Sequence, residues 1–344
     1  AGKAGAGTVS FSYPVAVAIT LLSAAMWGSW MQVIKRRGTY PIEGIAFWMF
    51  LFSFVMTAAI TLLLSIWFLP EGILAAAREH AAVIPEILLG GAMLSCGVYF
   101  GLAGMGKLGM LLVTTLSGTM TCILGVVTSI AKEGLPSHPW ALPLVLISSA
   151  TLILASVLCA VSFQMCERDR LVQSESKPAR EKQRGGITLS MLACILLYAV
   201  LSNGWSMGTA SGAADGMPAL LIGFYMAAGS ALGILLLCGI VFTRRNMWKT
   251  VLCVHAEKKP LLLGLLAAVG YYGGNLLSIY TMSVLSVTLS FLFGRSYSIW
   301  TYLWSFYYGE YRGARRKTIL VLSGGLLLYL CAIGLLFLYN VCTA

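Results

Sequence analysis

Leu285–Tyr308 reads LSVTLSFLFGRSYSIWTYLWSFYY. Apart from Arg295, the stretch is apolar, aromatic or hydroxylated. It is long enough to cross a bilayer, which takes roughly 20 such residues in a helix. A charge at bilayer depth is costly and faces a protein interior or a wet cavity. The acids that could neutralise it are Glu43, Glu71, Glu79, Glu86, Glu133, Glu167, Asp169, Glu175, Glu181, Asp215, Glu257 and Glu310. All fall in loops or at the ends of apolar segments. The pattern therefore points to a partner for Arg295 that the chain does not supply, such as a ligand.

The rest of the chain has the same character. Hydrophobic residues make up 59% of it and charged residues only 10%, against about 25% charge in a soluble domain. Mean hydropathy is +0.87. The expected class is an all-α integral membrane protein. A net charge of +11 raises nucleic acid as a partner, but the basic residues sit in short loops between apolar runs, as membrane orientation produces. We expect no nucleic-acid partner; the bilayer is the surrounding medium. The nine cysteines are scattered, mostly within apolar runs, and His80, His138 and His255 lie in loops without clustering. No metal spacing appears, so neither metal nor cofactor is expected. Residues 1–13 read as a flexible tail that begins AGKAGAGTV.

Ten segments reach spanning length: 14–34, 45–69, 86–106, 109–131, 140–164, 187–208, 218–242, 260–282, 285–308 and 318–340. The polar stretch 165–186 splits them into a first repeat, 14–164, and a second, 187–344. The loops after segments one, three, five, seven and nine hold 19 Lys and Arg, and the other side holds only Lys3, Arg78 and Lys132. This bias places linker 165–186 in the cytoplasm and both termini outside the cell (inner) membrane. LLSAAMWGSW (21–30) aligns with LLYAVLSNGW (196–205), and Gly97–Glu133 aligns ungapped with Gly274–Glu310. Five helices per copy is an odd number, so the second copy enters the membrane upside down. Two inverted five-helix repeats are an architecture of secondary transporters, with the site between the halves.

Four stretches carry a family resemblance: LLSAAMWGSWMQVIKRRG (21–38), GGAMLSCGVYFGLAGMGKLGM (90–110), AAVGYYGGNLLSIYTMSVLSV (267–287) and GEYRGARRKTILVLSGG (309–325). In each half a helix rich in Gly and aromatics meets a tight turn, then a Ser/Thr-rich helix, then an acid. From about residue 14 onward the chain resembles a ten-helix member of the drug/metabolite transporter superfamily, nearest its L-rhamnose–proton symporter and glucose/ribose porter branches. The resemblance implies that superfamily's transporter fold and sugar transport by symport. It supplies no signature from which substrate ligands carry over. Plant ureide permeases share the broad layout and stay open as an alternative.

Candidate substrate-binding residues come from polar and aromatic groups inside the segments. On an unbroken ninth helix, Thr288, Phe291, Arg295, Ser298 and Tyr302 share a face. Arg295 then reads as an anchor for a carboxylate or phosphate, or as a structural residue capped by backbone carbonyls. Segment four carries Thr114, Ser117, Thr121 and Thr128 on one stripe; such rows line polar paths or glue helices together. Trp27 and Trp30 pair with Asn203 and Trp205 in the opening helices of the two repeats. Tyr271, Tyr272 and Asn275 lie in segment eight and Tyr99 in segment three. Aromatic faces beside amides suit a sugar or heterocycle; packing is the plainer reading. Gly97/Gly101, Gly204/Gly208, Gly229/Gly233 and Gly270/Gly274 are GxxxG pairs that let helices approach closely. GMGKLG (104–109) matches GxGxxG, but it joins two membrane helices without a preceding strand and reads as a turn.

No catalytic constellation appears, so an enzyme is not expected. The expected function is a secondary transporter that moves a small polar metabolite, sugar or sugar-like and including an acidic one, by alternating access. The expected cavity is walled by segments one, three, four, six, eight and nine. A co-transported proton usually needs an ionisable group in the path, and no mid-span carboxylate is present, so coupling stays open. The alternatives are an exporter of drugs or hydrophobic metabolites, a ureide- or nucleobase-type permease and, from another class, a non-transporting membrane scaffold or channel. Oligomeric state is not readable.

Overall fold

The computed structural model describes residues 12–108, 139–173, 189–252 and 258–343. Between the first two stretches it also describes residues 113, 117, 118, 120, 121, 123–125, 127, 128 and 131. Thr114, the start of the tail, the linker from residue 174, and the side chain of Thr288 lie outside the described residues.

The helices are α1 (Tyr13–Ser29), α2 (Gln32–Lys35), α3 (Ile42–Phe68), α4 (Ile73–Glu79), α5 (Ile84–Leu108), α6 (Ala141–Gln173), α7 (Leu189–Ser202), α8 (Gly204–Ala214), α9 (Ala219–Arg244), α10 (Trp248–Leu252), α11 (Lys259–Gly294), α12 (Tyr297–Tyr307) and α13 (Arg316–Thr343). Among the described residues, eight helical runs are long and apolar enough to cross a membrane: Tyr13–Lys35, Ile42–Phe68, Ile84–Met105, Leu142–Arg170, Leu189–Ala214, Ala219–Arg244, Lys259–Leu285 and Arg316–Leu336. The protein is an all-helical, multi-pass membrane protein.

Its surface is the reverse of a soluble protein's. Ile66, Trp67 and Leu236 are about 70% exposed, at 74%, 69% and 71%, whereas Thr20, Ser23, Ser230, Ser278 and Thr281 are wholly buried. An apolar skin and a hydroxylated interior suit a lipid surround, where hydroxyls are satisfied between helices. Thr20 Oγ1 lies 2.8 Å from Thr281 Oγ1, and the Ser23 hydroxyl donates to the Gly274 carbonyl at 2.7 Å, joining α1 to α11.

Local sequence explains where the helices start and stop. Pro218 precedes α9, and a proline stands in the first turn of α1 and of α11, where its missing N–H costs nothing. The α8–α9 connection closes with Gly216 at φ +75, while the Met217 N–H reaches back to the Gly212 carbonyl at 3.0 Å. Gly309 repeats the device after α12, with Glu310 N–H on the Ser305 carbonyl at 2.9 Å. Both are Schellman ends, which need the left-handed conformation that glycine adopts freely.

Helix α11 joins what reads in sequence as segments eight and nine. Ser278 Oγ and Ser290 Oγ lie 2.8 Å apart within it. A straight helix would separate them by about 18 Å, so the chain reverses between these residues and the helical run forms a hairpin. Helix α6 continues past its expected end at 164, into the stretch read as linker. Asp169 holds it there by accepting the Arg315 N–H at 2.9 Å and the Thr318 hydroxyl at 2.7 Å.

The glycine pairs set the packing. A Cβ on Gly91 would come within 2.2 Å of the Met226 carbonyl, and one on Gly229 within 2.1 Å of the Leu88 carbonyl. Helices α5 and α9 therefore touch backbone to backbone. Helix α5 also packs on α7 and α8, α11 on α1 and α3, α9 on α3, and α6 on α13. The described interhelix ion pairs gather at two ends. Lys35 pairs with Glu310, Arg245 with Glu43 (3.4 Å) and Arg315 with Asp169 (3.4 Å) at one end; His80 pairs with Asp215 (2.6 Å) at the other.

Gly91→Ala and Gly229→Ala should each lower the melting temperature of the purified protein, since overpacking costs about 1–3 kcal/mol. Gly239→Ala should not, because a Cβ there meets nothing within 4 Å. Equal behaviour of all three in a thermal melt would count against this packing.

Candidate functional site

Three apolar segments are interrupted, each by sequence that tightens or ends a helix. The α1–α2 break falls at Trp30–Met31, the α7–α8 break at Asn203 and the α11–α12 break at Arg295–Ser296. At each break the backbone switches to bonds three residues apart. Examples are Val33 N–H to the Trp30 carbonyl (3.1 Å), Asn203 N–H to Val200 (3.2 Å) and Ser296 N–H to Phe293 (3.1 Å). Within a membrane, irregular backbone persists only where protein buries it or water reaches it.

All three breaks meet one cavity of about 100 Å3. Trp27, Trp30 and Met31 reach it from α1 and the first break, Leu94 from α5, and Ser117, Gly118 and Thr121 from segment four. Tyr198 and Ser202 reach it from α7, Trp205 from α8, and Tyr271, Asn275, Phe291 and Gly294 from α11. Arg295 and Tyr297 complete the wall at the third break. The contributing segments are one, three, four, six, eight and nine.

An aromatic chain orders the wall. Trp27 meets Trp205 edge to face at 5.9 Å, Trp205 stacks on Phe291 at 6.3 Å, and the Arg295 guanidinium lies 4.3 Å above the Phe291 ring. Trp27 fits because two glycines leave room. A Cβ on Gly274 would come within 2.8 Å of its Nε1, and one on Gly294 within 2.5 Å of its ring. Its Nε1 donates to the Tyr271 carbonyl at 3.1 Å and to Asn275 Oδ1 at 2.9 Å. On the far side, Tyr271 packs on Trp30 at 5.2 Å.

Arg295 is half-buried. No carboxylate among the described residues pairs with it. Glu310, Glu43, Asp169 and Asp215 are paired as above, Glu167 pairs with Arg170 at 3.3 Å, and Glu86 accepts the Ser211 hydroxyl at 2.6 Å. No lining residue is acidic.

Trp27, Trp30, Ser117, Thr121, Tyr271, Asn275 and Arg295, singled out from sequence, all line this cavity. The other candidates sit elsewhere. Tyr272 is fully buried against Ala227 and Leu276 and does not line the cavity. Tyr99 is buried against Phe100 on α5. The Asn203 amide turns to segment four and donates to Thr128 Oγ1 at 2.8 Å. Ser298 lies against Tyr329 of α13, and Tyr302 is buried in the core at 2% exposure. The single face drawn through Arg295, Ser298 and Tyr302 assumed one unbroken helix. The break at Arg295–Ser296 turns the residues after it away, except Tyr297. Tyr198, Tyr297 and Gly118 were not singled out. In the register expected from sequence, Gly118 is the position aligned with Arg295.

No protein-family model matches the chain, and no curated protein matches it. Among solved structures, one described only as "Crystal structure of protein" is similar over 94% of this chain and 96% of its own. The TM-score is 0.62 at 14% identity. At that identity the likeness is one of fold alone.

Asn275 is 3% exposed, and Trp27 keeps the Tyr271 carbonyl as acceptor if Asn275 Oδ1 is removed. Asn275→Leu should therefore fold with a melting temperature near that of the wild type, because only part of one bond, about 1 kcal/mol, is lost. A collapse in yield would show that Asn275 is chiefly a structural clamp.

Proposed function

We propose that this protein is a secondary transporter of the drug/metabolite transporter kind. It moves a small polar metabolite, sugar or sugar-like and including an acidic one, across the cell (inner) membrane. In this reading the eight spans, with segments 109–131 and 285–308, make ten helices in two inverted repeats. Each half carries five, and access to the central cavity alternates as the halves rearrange.

The observation that carries the reading is the exchange symmetry of the cavity wall. In the registers found from sequence, Trp27 corresponds to Ser202, Trp30 to Trp205, Ser117 to Gly294 and Gly118 to Arg295. Carried three residues back along α5, the second register also matches Leu94 to Tyr271. Both members of these five pairs line the cavity, whereas the counterparts of Met31, Thr121, Tyr198, Asn275 and Tyr297 do not. The helix partners exchange in the same way. Helix α5 packs on α7 as α11 packs on α1, and α5 packs on α9 as α11 packs on α3. The aligned glycines obey the same rule: a Cβ on Gly97 would strike the backbone of Ser202, and one on Gly274 would strike Trp27. A cavity on the axis relating two inverted halves is where such transporters bind substrate.

The cavity volume favours a small substrate. About 100 Å3 falls short of the roughly 300–1,000 Å3 of drug-sized sites, which weighs against an exporter of bulky hydrophobic compounds. Arg295 in the wall weighs against cations. Proton coupling has no acid among the lining residues to use, so a driving proton would travel with the substrate or by another route.

Two experiments test the reading. The 19-to-3 basic bias places the end holding Lys35, Glu310 and Arg245 in the cytoplasm. A reporter active only in the cytoplasm should be silent when fused after Ala344, and strong activity would overturn the orientation. In proteoliposomes the protein should mediate saturable flux of a small polar metabolite. Lys35 belongs to one half and Glu310 to the other, and alternating access requires them to separate. With cysteines at both positions and the native ones replaced, a short thiol cross-linker should abolish flux. Undiminished flux in the cross-linked protein would rule out rocking of the halves.

A further inference from the structure

The repeat-related wall is not symmetric in chemistry. Where one half presents Arg295, the other presents Gly118. A Cβ on Gly118 would come no nearer than 3.2 Å to anything, the nearest atom being the Tyr297 hydroxyl. The glycine thus leaves room for the Tyr297 hydroxyl, while the guanidinium lies over the Phe291 ring.

Two side chains of this wall carry buried donors without a well-formed hydrogen bond. Trp205 is 6% exposed and Asn275 is 3% exposed, so both are more than nine-tenths buried. Trp205 Nε1 has no acceptor, and Asn275 Nδ2, beside the Tyr271 hydroxyl, has no hydrogen bond of good geometry. The acceptor of that same amide, Oδ1, is already taken by Trp27. The Ser117 hydroxyl donates to the Val113 carbonyl and the Thr121 hydroxyl to the Ser117 carbonyl, each at 2.7 Å. The oxygens of these hydroxyls, and of the lining tyrosines, can still accept; the groups that can only donate are a guanidinium, an indole N–H and an amide NH2. Buried donors left without acceptors are costly, and a positive charge with no acid beside it costs more. An oxyanion satisfies both needs at once. The planar guanidinium can grip it through two parallel hydrogen bonds.

We propose that Arg295, with Asn275 and Trp205, forms an anion subsite in this cavity, and that the transported molecule is a small hydroxylated metabolite bearing a carboxylate or phosphate. The proposal rests on the transport reading only for the word "transported"; the anion subsite stands or falls by binding alone. The aromatic wall and the tyrosine hydroxyls, which donate or accept as required, cover the rest of the ligand.

The test uses matched ligands on the purified full-length protein: glycerol, glycerate and glycerol phosphate, then glucose, glucuronate and glucose 6-phosphate. At least one anionic member should raise the melting temperature while its neutral partner does not, because only a ligand that binds the folded state does so. Which anion binds distinguishes carboxylate from phosphate. Arg295→Met should weaken that anion about ten- to a hundredfold, as loss of charged hydrogen bonds implies. Arg295→Lys should restore part of the affinity, since it keeps the charge without the fork. If Arg295→Met does not fold, the wild-type comparison of charged with neutral partners still decides. The proposal is overturned if a neutral member binds as tightly as its anionic partner. It is equally overturned if no anion binds at millimolar concentration, or if a folded Arg295→Met variant binds the anion unchanged. Anion binding without flux in proteoliposomes would sink the transport reading and leave the subsite standing. Flux of a neutral sugar insensitive to Arg295→Met would do the reverse.

Discussion

A helix broken inside a bilayer exposes amides and carbonyls that hydrocarbon cannot satisfy. That constraint organises this molecule. The breaks at Trp30–Met31, Asn203 and Arg295–Ser296 keep hydrogen bonds three or four residues back, and they are not left facing lipid. Each is instead turned inward, and the residues beside them form the wall of one cavity. The costly backbone and the costly charge of Arg295 thus share one sheltered place. A site assembled this way has donors and irregular backbone at its centre and unbroken apolar helices around its edge.

Close helix packing makes the shelter tight. Helix α5 is wedged between α8 and α9 because glycines let carbonyls stand where side chains would be: Gly90 against Gly204, Gly91 against Met226 and Gly229 against Leu88. Lipid offers no hydrophobic gain for bringing helices together, so such contacts and interhelix hydrogen bonds must hold them. The pairs Thr20–Thr281 and Ser278–Ser290 supply those bonds across α1 and the α11 hairpin. At the two ends, charged residues that lipid excludes pair across the loops. These end ties are exposed, weaker than the glycine contacts, and so are the natural places for the assembly to open.

The proposed inverted repeat gives this frame a symmetry that the cavity then breaks. Partner helices exchange between halves, and Gly97 aligns with Gly274, whereas Arg295 corresponds to Gly118 and Tyr271 to Leu94. Packing restrains the frame, since a Cβ on Gly97 or Gly274 would clash in either half. At the lining positions Gly118/Arg295 and Leu94/Tyr271 the chemistry nevertheless differs between the halves. An asymmetric ligand, charged at one end and hydroxylated along its length, is what such a wall fits.

Much of this was legible in the sequence because a membrane simplifies the code. Apolar runs of spanning length disclose helices, the loops disclose the two ends, and GxxxG glycines disclose close approaches. The lone charge Arg295 disclosed the cavity, and Trp27, Trp30 and Asn275 its wall. What sequence periodicity could not supply was the position of the helix breaks. A regular helix carries Arg295, Ser298 and Tyr302 on one face, but Ser298 and Tyr302 are placed elsewhere because the helix stops at Arg295–Ser296. Tyr272 and Tyr99 look as polar as Tyr271, and only packing decides which hydroxyl meets the cavity. Sequence alone determined the class of molecule and the length of its helices, because solvation by lipid acts on each segment separately. The tertiary structure decided which side chains converge, because a kink and a neighbour's glycine set the direction of a side chain, and neither is written at the residue itself.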